Sequence, residues 1–314
     1  MSDSTMASQM SQYRSLVSQM ASALKDFQSS GSKFRVLKTI HPTNLLPTDA
    51  RQPTGPSDSP KTLFILDSSF NPPSIAHQYL ATSALSTSSV SQHPGAHRLL
   101  LLFATMNAEK APSPASFEQR LTLMTIFAID LLRNLQSLPR DSAKHPVPPI
   151  DIGVTSLPYY TDKSSAIAQS AWYPDAPTHI HLIGYDTLTR FFAPKFYKAF
   201  HPPLSALAPY FEAGHRLRAY LRPDADYGAE EDQRAFVQRL AEGGLETAGA
   251  ERAWAEQVEV CPPNERVGVS STRIRKAAKA GQWEEVGQLC TEGVAEWVRE
   301  AGLYEGDDRG AKMA

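Results

Sequence analysis

The sequence contains little cysteine, which limits the kinds of site it can form. Its 314 residues include two cysteines, Cys261 and Cys290, and their separation does not match the spacing of a metal site. No motif near either one indicates a nucleophile. We expect two reduced, unpaired thiols in an intracellular protein, located in the cytoplasm, in the nucleus or in both.

The sequence also lacks a surplus of basic charge and a long hydrophobic run. Its 31 basic and 33 acidic residues leave a net charge of −2, which does not indicate a nucleic acid or an anionic membrane as partner. The longest apolar run, residues 99–104, is too short to cross a bilayer, and residues 1–5 do not resemble a signal peptide. We predict no nucleic-acid or membrane partner; the sequence leaves open whether the chain forms a homo-oligomer.

Hydrophobic residues make up 41% of the chain, enough for a substantial core. Near the N-terminus they recur at spacings of three and four, which predicts an amphipathic helix that ends near Gly31 and packs on the main domain. The residues with this spacing are Met6, Met10, Tyr13, Val17, Met20, Leu24 and Phe27. Residues 34–40 are predicted to form a short strand. Residues 41–61 contain five prolines and are predicted to be a linker.

From residue 62 onward, short apolar runs alternate with segments of helical periodicity. The predicted strands are residues 63–66, 98–103, 150–154, 179–184, 217–222 and 257–261. The predicted helices are residues 75–90, 117–135, part of 159–170, two pieces within 187–213, 230–242, 271–280, 283–289 and 292–301. This order predicts an α/β fold with a mostly parallel sheet and helices on both faces. We divide the chain into residues 1–61, a main domain of residues 62–304, and a disordered tail of residues 305–314.

The first informative stretch follows the strand at residues 63–66. Turn-forming residues 68–73 lead into a helix that begins near Ser74 and carries His77 in its first turn. A helix N-terminus offers free N–H groups and partial positive charge, so it suits phosphate. In parallel sheets, ligands bind outside the carboxyl ends of the strands. Asn107 with Lys110, and Gly184 with Asp186, are predicted to lie at the same edge. Taken alone, the stretch also fits an ordinary turn with a surface histidine.

The second informative stretch is residues 269–275, near the C-terminus. Ser270 or Ser271 is a natural N-cap, so hydroxyls and free N–H groups collect at the start of this helix. Arg275 lies one turn further on, and its guanidinium can reach the same anion. The combination suits a polyphosphate. Taken alone, it also fits a capped helix with a solvated basic face.

Together the two stretches resemble the nicotinamide/nicotinate mononucleotide adenylyltransferase family of the nucleotidylyltransferase superfamily. Ser69-Phe-Asn-Pro followed by Ser74-x-x-His77 is similar to the (H/T)xxH signature, and Val269-Ser-Ser-Thr-x-x-Arg275 is similar to ISSTxxR. Gly184-Tyr-Asp186 is similar to the GxD between them. With its N-terminal helix, the chain most resembles the fungal branch. The resemblance implies a Rossmann-like fold of the nucleotidylyltransferase type, and transfer of AMP from ATP to a pyridine mononucleotide, with Mg²⁺ on the triphosphate.

The resemblance also implies roles for individual residues. His77, Arg275 and Lys110 would be the catalytic phosphate-binding groups. The nucleotide-binding residues would be Ser69, Phe70, Ser74, Gly184, Asp186, Ser270, Ser271 and Thr272. No residue is predicted to bind a metal ion, and His179 and His181, which share one face of a strand, are predicted to be structural. Tyr159, Tyr160 and Trp172 are candidates for stacking on the nicotinamide ring, although a buried or interface position is the more common role for any single aromatic residue.

Two positions depart from the family pattern. Ser68 stands where the family has glycine, and Ser74 stands where it has histidine or threonine. Two alternatives therefore stay open: a nucleotide-binding or ATP-hydrolysing regulatory protein with weak transfer activity, and an adenylyltransferase for another phosphorylated acceptor. The sequence does not separate the amide mononucleotide from the acid.

Overall fold

A computed structural model describes residues 3–306 except 47–52, 54, 57–58, 106–114, 140, 142–143 and 224. The strands are β1 (Phe34–Ile40), β2 (Thr62–Asp67), β3 (His97–Ala104), β4 (Ile150–Thr155), β5 (Thr178–Gly184), β6 (Arg216–Tyr220) and β7 (Val258–Cys261). The α-helices are α1 (Asp3–Ser29), α2 (Ile75–Ala84), α3 (Thr87–Val90), α4 (Phe117–Ser137), α5 (Tyr160–Gln169), α6 (Tyr185–Phe191), α7 (Ala208–Glu212), α8 (Glu230–Ala241), α9 (Ser271–Lys279), α10 (Trp283–Leu289) and α11 (Glu292–Glu300). Short 3₁₀ turns lie between several of these elements.

The strands form a seven-stranded sheet in the order β1-β4-β3-β2-β5-β6-β7. Every neighbouring pair is parallel except β1 with β4, which are antiparallel at the sheet edge. The chain adds β3 and β4 on one side of β2 and then returns to place β5 on its other side. The carboxyl ends of β2 and β5 therefore border the crevice at which doubly wound sheets bind ligands.

Apolar side chains of the central strands alternate between two buried faces, as in a parallel sheet that is covered by helices on both sides. Leu66 and Leu101 belong to one cluster, which also contains side chains of α1, α4 and α11. Ile65 and Leu100 belong to the opposite cluster, with Ile167 of α5. The predicted fold class is confirmed.

The N-terminal helix and strand join this same sheet and core. Met10, Tyr13, Met20 and Phe27 of α1 are buried in the cluster that covers the first face. The predicted packing of the helix stripe on the main domain is confirmed, and β1 has the predicted bounds. Much of the proline-rich segment and residues 307–314 lie outside the described residues, so the predictions for the linker and tail stay predictions. In the described part of the chain, no helix is long and apolar enough to cross a membrane.

One predicted helix is wrong. The sequence predicted a continuous helix over residues 75–90, but α2 ends at Ala84 and α3 begins at Thr87. The Ser86 hydroxyl accepts a hydrogen bond from the Ser89 N–H and caps the second helix. Serine hydroxyls compete with helical hydrogen bonds in this way, and the serine-rich run after Leu85 favours a new cap over continuation.

The histidines of β5 lie in the interior, as predicted for a structural role. The rings of His179 and His215 stack with centroids 4.1 Å apart, and the His179 N–H donates to His215 Nδ1 at 3.2 Å. His181 Nε2 lies 3.0 Å from the Ser164 hydroxyl. Burial lowers the pKa of His179 to about 3 and that of His215 to about 4, and it lowers the pKa of His181 well below its usual value.

These histidines make the fold sensitive to acid. Below pH 6.5 the unfolded chain binds protons that the buried rings resist, so the free energy of unfolding falls as pH falls from about 6.5 toward 4. The stability is fully present above that window. Each ring contributes a loss of about 1.4 kcal/mol per pH unit within it.

We expect His215→Asn, which keeps an acceptor near Nδ1, to reduce the stability loss between pH 7.5 and 5.0 by about 2 kcal/mol. The measurement is urea unfolding at both pH values. His41→Asn, which removes an exposed histidine, is the matched control. An unchanged acid loss in His215→Asn would contradict the role assigned to this cluster.

Candidate active site

The turn between β2 and α2 places a buried aromatic ring directly beneath a histidine. Phe70 has φ 44° and a fully buried side chain. A bulky residue rarely adopts this left-handed conformation, so the surrounding packing must hold it there. Its ring centroid lies 5.2 Å from that of His77 and 6.5 Å from that of Phe127 on α4. The turn is therefore anchored to the core and fixes one side of the imidazole.

Both ring nitrogens of His77 are hydrogen-bonded by the same turn. The Ser74 N–H donates to Nδ1 at 3.0 Å, and the Ser74 hydroxyl lies 2.9 Å from the same nitrogen. Nε2 lies 2.8 Å from the Ser68 hydroxyl. Because a backbone N–H can only donate, Nδ1 is the acceptor and the proton of the neutral ring is on Nε2. Burial, and then the charge of Arg222, lower the pKa of His77 to about 4, so the ring is neutral near pH 7.

The second predicted motif packs directly on the first. The Ser271 hydroxyl donates to the Pro72 carbonyl at 2.8 Å, and Arg275 Nη1 donates to the Asn71 carbonyl at 2.8 Å. Arg275 Nη2 also donates to the Thr272 hydroxyl at 3.1 Å. Ser270 is the N-cap of α9, and its hydroxyl accepts from the Arg273 N–H. The N-terminus of α9 is thereby fixed beside the turn that carries His77.

Gly184 and Asp186 lie at the end of β5, on the other side of the crevice. Arg222 Nη2 and Nε donate to Asp186 Oδ1 at 2.6 and 3.1 Å, and Arg190 Nη2 donates to Oδ2 at 2.8 Å. Burial by itself would raise the pKa of Asp186, but the charge and hydrogen bonds of Arg222 outweigh it and the pKa is lowered. A Cβ at Gly184 would lie 2.7 Å from Asp186 Oδ1, so glycine allows this close approach.

Sequence reasoning missed two residues that organise the site, Arg222 and Tyr304. Arg222 follows β6 and joins Asp186 to the Val267 carbonyl, just before the second motif. The buried Tyr304 hydroxyl donates to Asn71 Oδ1 at 3.0 Å and so anchors the turn from the C-terminal end of the domain. The position of Arg222 at the carboxyl end of a predicted strand was an available signal. Tyr304 and the Asn71 side chain carried no comparable signal.

The remaining predicted residues lie at both edges of the sheet. Ser69 is exposed in the turn after β2, and Tyr159 and Tyr160 lie at the start of α5, near the same edge of the sheet. Trp172 follows the end of α5, where nearby Asp175 pairs with Lys61 just before β2 begins. Trp172 therefore lies at the opposite edge, and its proposed stacking role is wrong.

Lys110 and Asn107 lie outside the described residues, so their predicted placement stays a prediction.

Cys261 and Cys290 are buried and unpaired, and burial raises the pKa of their thiols to about 11 and about 12. Neither thiol has the lowered pKa that marks a cysteine nucleophile.

Two helix N-termini, a neutral histidine and an arginine lie at the switch point of the sheet, an arrangement in an α/β fold that suits a nucleotide phosphate. No protein-family model matches the chain. A curated relative from Schizosaccharomyces pombe, named "Putative nicotinamide mononucleotide adenylyltransferase", is 27% identical over 228 residues, which are 72% of this chain and 79% of the relative. This similarity confirms the resemblance to the nicotinamide/nicotinate mononucleotide adenylyltransferase family, and to a fungal member of it.

Similar solved structures carry related names. Nicotinic acid mononucleotide adenylyltransferase from Plasmodium falciparum, complexed with NaAD, is 13% identical with a TM-score of 0.48, and the match covers 79% of this chain and 98% of that one. A putative nicotinate-nucleotide adenylyltransferase from Vibrio parahaemolyticus is 18% identical with a TM-score of 0.38, covering 79% and 97% of the two chains.

We expect Gly184→Ala to lower the free energy of unfolding by about 1–3 kcal/mol, because the new methyl group displaces the Asp186–Arg222 pair. Gly287→Ala on α10 is the matched control: beyond its chain neighbours and the backbone of its own helix, no atom lies within 4 Å of the added Cβ, and alanine favours the helix by up to about 1 kcal/mol. Urea unfolding of both variants measures the difference. Equal stability of the two variants would contradict the close approach inferred at Gly184.

Proposed function

We propose that this protein transfers AMP from ATP to the phosphate of nicotinamide or nicotinate mononucleotide, forming the dinucleotide and pyrophosphate in NAD biosynthesis. The observation that carries the proposal is the direct contact between the two phosphate-binding motifs, through Ser271 and Arg275 on the carbonyls of Pro72 and Asn71. Because of this contact the N-termini of α2 and α9 lie close to the His77 ring, which supports one shared phosphate site. The named relative supports the same reaction class.

The proposed AMP transfer requires stabilisation of negative charge and does not require a nucleophile from the protein. The acceptor phosphate attacks the α-phosphorus of ATP, so two anions must be aligned and their repulsion screened. Arg275 and the N-termini of α2 and α9 supply positive potential that is fixed before substrate binds. We assign the β- and γ-phosphates to the Ser270–Thr272 and Arg275 side, and the reacting α-phosphate to the side of His77.

Mg²⁺ would accompany the triphosphate and neutralise part of its charge. Mg²⁺ usually keeps several waters and binds through substrate phosphates. The carboxylates that end β2 and begin α6, Asp67 and Asp186, are paired with Lys163 and Arg222. No group of three or more candidate ligands for a metal ion occurs among the described residues. These surroundings fit an ion that is held mainly by the substrate.

The acceptor would occupy the side of the crevice opposite α9. Tyr160 at the start of α5 packs edge-on against His181 with ring centroids 5.0 Å apart, and Lys163 Nζ lies 5.2 Å from the centroid of the Tyr160 ring. Tyr159, 42% exposed, offers a second aromatic face nearby. These two tyrosines are our candidates for contact with the pyridine ring, with Asp186 as a contact for ribose.

We also propose a cytoplasmic or nuclear location.

A second candidate function is ATP binding or hydrolysis with weak transfer. The observation that favours it is the engagement of both His77 ring nitrogens by Ser68 and Ser74. A histidine whose Nε2 must exchange partners would stabilise the α-phosphate less well than one that faces the crevice directly. Product analysis separates this candidate from the first.

The test is incubation of the protein with ATP, Mg²⁺ and each mononucleotide, followed by quantification of dinucleotide, pyrophosphate and ADP. We expect dinucleotide and pyrophosphate in equal amounts. His77→Ala should lower kcat by about 10²-fold or more, because a positioned donor near the reacting phosphate is lost. His41→Ala, outside the site, should keep the wild-type rate.

Formation of ADP and phosphate without dinucleotide would instead favour the hydrolytic candidate. Dinucleotide formation by a folded His77→Ala protein at the wild-type rate would show that the assignment of the crevice is wrong. Circular dichroism of both variants establishes that they are folded.

A further inference from the structure

Ser68 occupies a position at which the related family has glycine, and its side chain lies beside the His77 ring at the carboxyl end of β2. It directly follows β2, and its N–H donates to the Leu102 carbonyl of β3 at 3.2 Å, which extends the sheet pairing by one residue. The residue is half-buried. Its hydroxyl lies 2.8 Å from His77 Nε2. The side chain is therefore fixed by the sheet on one side and by the imidazole on the other.

The direction of this hydrogen bond follows from the opposite nitrogen of the ring. Nδ1 accepts from the Ser74 N–H at 3.0 Å, so Nε2 carries the proton and donates to the Ser68 hydroxyl. The Ser68 oxygen is then an acceptor toward His77, and its own hydrogen is left to point to another group. Among the described residues, His77 is the one hydrogen-bond partner of this hydroxyl.

The same argument excludes a serine–histidine nucleophile pair. In such a pair Nε2 must be unprotonated so that it can remove the hydroxyl proton. Here the Ser74 N–H holds Nδ1 as the acceptor, so Nε2 keeps its proton. The pKa of His77 is lowered to about 4, so the doubly protonated ring is not the form present near pH 7. Ser68 is therefore oriented as a donor and is not activated for attack.

We propose that the Ser68 hydroxyl is a catalytic residue that donates directly to a non-bridging oxygen of the α-phosphate, while His77 acts behind it through the Nε2–H···Oγ hydrogen bond. The proposal rests on the proposed function. It involves no proton transfer: both hydrogen atoms stay on their own nitrogen and oxygen, and the hydroxyl stabilises the charge that develops on the phosphate oxygens.

Two physical effects support this relay. Hydrogen bonds in a chain polarise one another, so a hydroxyl that accepts from an imidazole N–H becomes a stronger donor. Donors that are fixed before the reaction stabilise developing charge without reorganisation. The neutral imidazole adds no charge of its own. The positive charge of the site comes from Arg275 and from Arg222, whose charge also lowers the pKa of His77.

The test compares Ser68→Ala, Ser68→Gly and Ser68→Thr with wild type. Ser91→Ala, which removes an exposed hydroxyl at the end of α3, is the matched control. Initial rates at varied ATP give kcat and KM, and binding of a non-hydrolysable ATP analogue is measured separately. Circular dichroism establishes folding. ¹⁵N chemical shifts of His77 report which ring nitrogen carries the proton.

We expect Ser68→Ala and Ser68→Gly to lower kcat by about 10²-fold, the loss typical of one removed donor, with a smaller change in KM. Ser68→Thr, which keeps the hydroxyl, should retain most of the rate, and Ser91→Ala should retain all of it. The His77 shifts should report protonated Nε2 in wild type. A kcat for Ser68→Ala or Ser68→Gly at or above wild type would overturn the proposal and identify His77 as the direct donor that Ser68 shields.

The two proposals fail in distinguishable ways. If wild type forms dinucleotide and the Ser68 variants are equally active, the relay is wrong and the function stands. If wild type forms none, the function is wrong, and analogue binding decides the relay. Weaker binding by Ser68→Ala than by Ser68→Thr would keep the hydroxyl as a triphosphate contact, whereas equal binding would remove it.

Discussion

The site depends on the contact between the N-terminus of α9 and the turn after β2. Ser271 and Arg275 bind the carbonyls of Pro72 and Asn71, which lie 199 and 204 positions earlier in the sequence. The Arg275 donor is charged, which makes its hydrogen bond comparatively strong, and both hydrogen bonds are partly shielded from water. They convert two separate helix starts into one surface. Without this contact, neither motif would differ in its chemistry from an ordinary capped helix.

The remaining contacts of the crevice hold polar groups that would otherwise move. Tyr304 fixes the Asn71 side chain, Ser74 fixes the tautomer of His77, and Arg222 links Asp186 to the segment before α9. Tyr304 and Arg222 come from distant parts of the chain, whereas Ser74 lies in the same turn as His77. The polar groups of the site are therefore ordered already when the protein folds. Dipoles that are fixed in this way stabilise a transition state effectively, because they need not reorganise during the reaction.

Much of the fold was predictable. Few alternative interpretations exist for an apolar run that is buried on both faces of a sheet, or for a segment with clear helical periodicity. The two motifs were predictable for another reason: their turn and cap residues have a local chemistry that can be recognised in sequence. The break after Leu85 was missed, since the choice between a continued helix and a Ser86 cap is a close energetic competition. Arg222 and Tyr304 gain their roles from contacts between distant segments, and local patterns do not encode such contacts. The misplacement of Trp172 has the same origin, because composition identifies an aromatic residue but not the edge of the sheet on which it lies.

The central claim is that the two motifs form one triphosphate site. The most direct measurement is a crystal structure of the protein with Mg²⁺ and a non-hydrolysable ATP analogue. We expect the triphosphate between the N-termini of α2 and α9, with Arg275 and the Ser270–Thr272 turn on the β- and γ-phosphates and the Ser68–His77 pair at the α-phosphate. A triphosphate bound elsewhere, with Ser68, His77 and Arg275 making no contact to it, would contradict the claim.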